Sequence, residues 1–97
     1  MEHQGREIIL KTNVIDPKKR IDDLILRFNG WMEDNEKSTS LSLHFYTSEE
    51  YPLTMGEVAH FLDSVTDVLD GCNIEWSSQK DETLNKQIMM VIIFNNR

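Results

Sequence analysis

The residue types able to do chemistry are few in this sequence and widely spaced. Three histidines, His3, His44 and His60, and a single cysteine, Cys72, are the candidates for a metal site or a nucleophile. They share no ligand spacing of the C-x2-C or H-E-x-x-H kind, which would set two donors on one turn or one helix face. No metal site is expected. His60 has Glu57 three residues before it and Asp63 three after, so an imidazole and two carboxylates line one helix edge. A solvated polar face accounts for that edge without a ligand. A Cys–His nucleophile pair would form only in the fold, and Cys72 stands between a helix stop and a strand, where small half-buried residues are common. The expectation is a chain with no catalytic residue.

Phosphate cradles are equally missing. The glycines Gly5, Gly30, Gly56 and Gly71 are isolated, with no G-x-x-x-x-G-K and no glycine cluster whose amides could wrap a phosphate. No cofactor is expected. Met55, Met89 and Met90 with Trp31 and Trp76 could form a ligand surface, but Met89 and Met90 lie inside the apolar run Ile88 to Phe94. Methionine as core filler is the better reading.

The composition narrows the class of partner. The net charge is −7, and the only basic cluster, Lys18-Lys19-Arg20, is followed at once by Asp22-Asp23. Binding a phosphate backbone needs clustered Lys and Arg, so no nucleic-acid partner is expected and the cluster reads as a solvated helix face. The 97 residues, 39% hydrophobic and 28% charged, suit one folded domain over 1–97. One cysteine excludes an intramolecular disulfide and fits a reducing compartment. The N-terminus has no signal-peptide pattern, and no apolar run approaches the roughly 20 residues of a membrane helix. A cytoplasmic protein with no membrane partner is the expectation.

The elements that must position these residues follow from periodicity. Residues 7–14 read as a strand. Asp16 and Pro17 open a helix over 17–34, in which Ile21, Leu24, Ile25, Phe28 and Met32 recur at helical spacing, with Trp31 beside them and Gly30 weakening the last turn. The segment 41–47 alternates Leu41, Leu43 and Phe45 with Ser42, His44 and Tyr46, which marks a sheet with one buried side. Thr54 and Glu57 form a capping-box pattern, and Val58, Phe61, Leu62, Val65, Val68 and Leu69 continue a second helix to a stop at Gly71. Strands follow over 73–78 and 87–94, the last apolar enough to be central in its sheet. The fold class is α/β, an α+β two-layer sandwich of order β-α-β-α-β-β. Four strands make a mixed sheet with two helices packed on one face, and strands joined through helices lie parallel.

One family resemblance builds on these segments. An apolar strand at Leu41 to Tyr46 is followed by Leu53-Thr54-Met55-Gly56-Glu57-Val58 opening a helix. Then come Ile74-Glu75-Trp76, Asp81-Glu82-Thr83-Leu84 and the last strand Ile88 to Phe94. In order and spacing this stretch resembles the C-terminal domain of the bacterial cell-division protein FtsZ, the tubulin relative. The first strand and helix agree only in order and length. Ser77 and Asn85 stand where that pattern often has glycine. The resemblance does not extend to the G-G-G-T-G-T-G signature of the GTP-binding domain, nor to the acidic catalytic loop. Asn13-Val14-Ile15-Asp16 is superficially like that loop's N-V-D, but Asp16 has a sufficient role as a helix cap.

The resemblance implies a stand-alone, non-catalytic domain that acts through protein contact, with FtsZ or a second copy of itself as partner. The partner-binding candidates are Glu57, Asp63 and Asp67 on the helix edge and Asp81 and Glu82 in the 79–87 loop. The alternative, by fold analogy, is a small-molecule-binding trimer of the chorismate mutase-like type with sites between subunits.

Overall fold

In a computed structural model of the chain, the described residues are 7–13, 16–33, 40–67 and 71–94. The alternation at 41–47 sets the frame. Strand β2, Ser40–Thr47, turns Leu41, Leu43 and Phe45 fully into the core and leaves Ser42, His44 and Tyr46 half-buried on the other face. Strand β1 spans Glu7–Lys11, β3 spans Asn73–Lys80 and β4 spans Met89–Phe94. Their order in the sheet is β1-β4-β2-β3. β4 lies antiparallel to both neighbours, and β2 and β3 run parallel. β1 and β2 therefore point the same way, as strands joined through a helix should. The last strand is central, as its continuous apolar run requires.

Helices α1, Arg20–Glu33, and α2, Met55–Ser64, cover one face. Ile21, Leu24 and Phe28 from α1 meet Phe61 and Val65 over Met90 and Ile92 of β4. Phe61 stands edge-on between Phe28 and Phe45, with ring centroids 5.4 Å and 5.5 Å away. Offset edge contacts of this kind suit the ring quadrupole better than a face-to-face sandwich.

Several boundaries differ from expectation. The first helix begins as a 3-10 turn, Pro17–Lys19, capped by the Asp16 carboxylate accepting from the Lys18 amide at 2.9 Å. The second ends at Ser64, not at Gly71, where Val65 leaves helical geometry as the C-cap; just beyond, the Thr66 hydroxyl donates to the Leu62 carbonyl at 2.8 Å. Val68 and Leu69, like residues 14 and 34, lie outside the described residues. β3 runs past Ser78 to Lys80 because an edge strand needs only its backbone bonds to β2, not apolar side chains. β1 stops at Lys11, and the fully buried Thr12 takes over from the ladder. Its amide donates to the Ile88 carbonyl and its hydroxyl accepts from the Ile88 amide, each at 3.1 Å. Met90 is core, Met89 half-buried, and Met55 is 69% exposed, so the core-filler expectation fails for Met55.

Candidate functional site

The densest polar construction lies where the start of α1, the 48–54 loop, the start of α2 and the turn before β4 converge. Its centre is Arg20, which is only 2% exposed. A guanidinium has five N–H donors, and all five are used here. Nε and Nη2 bind Glu57 Oε2 and Oε1 at 2.7 Å and 2.9 Å. Nη1 donates to the carbonyls of Tyr51 and Lys86, and Nη2 to that of Pro52. A buried charge is tolerated only when its donors are satisfied in this way. The Lys18-Lys19-Arg20 cluster is thus not uniformly a solvated face: Lys18 and Lys19 are exposed and Arg20 is interior. No local signal separates the three, since only the distant Glu57 and the loop carbonyls give Arg20 its partners.

Glu57 has a second task. Its Oε1 accepts from the Thr54 amide at 3.0 Å while its own amide donates to Thr54 Oγ1 at 3.1 Å, completing the capping box. Burial pushes its pKa up, but hydrogen bonds from Arg20 and Thr54 and the Arg20 charge outweigh that and hold it below the ordinary value.

Two open clefts of about 400 and 420 Å³ flank this construction, both lined by Glu50 and Tyr51. Asn13, Asn85 and Lys86 border the first, with the Lys86 ammonium 5.9 Å from the centre of the Tyr51 ring. Lys18, Pro52 and Thr54 border the second. The charged groups at its floor, Arg20 and Glu57, are already bound to each other.

The other expected site residues fall in separate places. Asp63 is exposed on α2 and Asp67 is exposed on the turn beyond it. His60 reaches across to α1, its Nε2 2.8 Å from Asp22 Oδ1, so its partner is not Glu57 or Asp63. Asp81 caps a short 3-10 turn, Glu82–Leu84, accepting from the Thr83 hydroxyl at 2.6 Å and its amide at 3.0 Å. Those two bonds lower its pKa. Glu82 accepts from the Glu49 amide at 3.3 Å. The loop is therefore not wholly exposed: Leu84 is buried at its tip and ties it to the core side. On the face away from the helices, His44 Nδ1 lies 2.7 Å from Ser77 Oγ, a contact between register partners of β2 and β3. Burial raises the Cys72 thiol pKa, which disfavours the reactive thiolate. Among the described residues no three His, Cys, Asp or Glu side chains gather as a metal site. His3 and Gly5 lie outside the described residues. No described helix is long and apolar enough to cross a membrane.

No protein-family model matches the chain, and no curated protein does. Solved structures do. A point mutant of FtsZ from M. jannaschii superposes on 93% of this chain with TM-score 0.65 at 18% identity. A structure described as an empty FtsZ dimer from the same organism matches 94% with TM-score 0.66 at 21% identity. The matched segment is the C-terminal part of those chains. The fold is that of an FtsZ C-terminal domain. CetZ from Methanosaeta thermophila shares it over 96% of this chain, with TM-score 0.60 at 10% identity. At these identities the likeness is one of fold. This chain spans 26–27% of the length of the FtsZ and CetZ chains it matches.

Proposed function

We propose that this FtsZ-like domain is a non-catalytic protein-interaction module whose partner is a filament-forming protein of the FtsZ kind, and that contact with it tunes filament assembly. The observation that carries the reading is the superposition of 93–94% of this chain on the C-terminal part of FtsZ, the part that does not house the GTPase. The Arg20 cluster supports a non-catalytic role, because its charges are spent on holding loops together. One matched FtsZ structure is described as a dimer, which makes subunit contact a natural use of the fold.

The contact surface assigned here is acidic. Asp63 and Asp67 beside α2 form its centre, with Asp81 and Glu82 of the loop as a second patch and Glu57 serving as the internal anchor. Charges of one sign on a surface steer a partner of the opposite sign and set its orientation more than its affinity. The test is co-sedimentation and a polymerisation assay with the FtsZ-type protein of the same organism. Binding or a change in polymer mass is expected, and Asp63→Lys with Asp67→Lys should reduce it. No binding and no change in assembly would overturn the reading.

A further inference from the structure

The helix-free face of the sheet carries a self-complementary pattern. Ile9, Val91, His44 and Ser77 stand in one register line across all four strands. All four point away from the helices, because their neighbours Ile8, Leu10, Leu43 and Phe45 pack into the core. Ile9 is 59% exposed and Val91 beside it only 8%, so Ile9 offers most of the free apolar area on this line. Two residues to either side of it on β1, and so on the same face, are Glu7 and Lys11, both exposed. On β4 the corresponding flanking positions are Ile93 and Met89. Among the described residues no element packs on this face, although β4 presents apolar side chains to it.

We propose that a second copy of this chain docks here, sheet against sheet, about a twofold axis running parallel to the Ile9–Val91–His44–Ser77 line. That operation sets Ile9 on Ile9 and Val91 on Val91, places Met89 against Ile93, and brings each Glu7 over the Lys11 of the other copy. On the β1–β4 half apolar groups meet apolar groups and Glu7 and Lys11 find opposite partners, while on the β2–β3 half Tyr46 meets Ser42 and Glu75 meets Gln79; the β1–β4 half is thus its own complement, as an isologous interface must be. Sheets stacked in this way lie about 10 Å apart with strand directions within about 30°. Strand spacing and rise make the face roughly 20 Å by 20 Å, which buries about 500 Å² per copy and about 1,000 Å² in all. That is the lower edge of a specific interface, and the dimer is accordingly weak and reversible.

This surface lies on the opposite layer from α2, so it fails or stands independently of the filament-partner reading. Sedimentation of the full chain from about 1 µM to about 1 mM should show a monomer–dimer equilibrium with a dissociation constant of roughly 10–100 µM. Ile9→Asp, at an exposed position, should leave the thermal melt unchanged and weaken dimerisation at least about tenfold. Glu7→Lys should also weaken it, and the exchange Glu7→Lys with Lys11→Glu should restore it. A monomer across the whole range overturns the proposal. So does a dimer that Ile9→Asp and the charge exchange leave unchanged.

Discussion

Arg20 and Glu57 meet fork to fork across 37 residues of sequence, with Nε–Oε2 at 2.7 Å and Nη2–Oε1 at 2.9 Å. The pair joins the starts of α1 and α2, and the remaining guanidinium protons hold the carbonyls of Tyr51, Pro52 and Lys86. It is the bolt at the end of the sandwich where both clefts open. Removing one member leaves the other charge without a partner in a poorly solvated place. Arg20→Ala should therefore cost about 3–5 kcal/mol in urea unfolding. Arg20→Lys should recover only part of that, since an ammonium cannot bridge both carboxylate oxygens and three carbonyls. If Arg20→Ala costs less than about 1 kcal/mol, the pair is not structural.

The same carboxylate sets a pH dependence. The folded-state pKa of Glu57 lies below its ordinary value of 4.5. A depressed carboxylate contributes stability that is fully present above the unfolded pKa and lost as pH falls through the folded one. Stability should thus decline below about pH 4.5. Unfolding curves between neutral and acid pH check this, and Glu57→Gln should start less stable at neutral pH and lose less on acidification. Asp81, also lowered, titrates in the same direction, and its carboxyl can be followed separately by NMR.

Asn85 adopts φ 56°, ψ −114°, and Gln87 donates its amide to the Leu84 carbonyl at 2.9 Å. That is a type II′ turn with Asn85 at its first central position, a conformation that glycine takes without a steric penalty. Asn85→Gly should raise stability by about 1 kcal/mol, the relief of left-handed strain less the entropy of a freer unfolded chain. The Asn85 carbonyl, which accepts from the Ser48 hydroxyl at 2.6 Å, is retained in that variant. A thermal melt that falls would contradict the strain argument.

Thr12 replaces a rung of the sheet. Its hydroxyl is the acceptor for the Ile88 amide, deep in the structure. Thr12→Val keeps the shape and removes the acceptor, so the cost should be about 1–3 kcal/mol, the penalty for a buried unpaired donor. Hydrogen exchange at the Ile88 amide should quicken in parallel with the stability loss.

Much of the architecture is legible in the sequence. Alternation at 41–47, the Thr54–Glu57 capping box and the apolar run from Ile88 each encode their element through contacts a few residues apart. The two-layer arrangement followed, including the central last strand. The site was less legible. Arg20 stood in a basic triplet and looked solvated, because nothing nearby marks it for burial. Met55, beside a good helix start, looked like core and is exposed. α2 ends at Ser64 although the apolar periodicity runs on past it, so periodicity alone does not mark the stop.

The sequence by itself determined the element types, their order and which strand had to be buried on both sides, since hydrophobic period and capping act within a turn or two of chain. Only the tertiary structure decided that Arg20 closes on Glu57 and the Lys86 carbonyl. It alone aligned Ile9, Val91, His44 and Ser77 in one line, with Glu7 and Lys11 to either side. Those relationships join positions tens of residues apart. They exist only once strand register and helix docking have brought the backbone together.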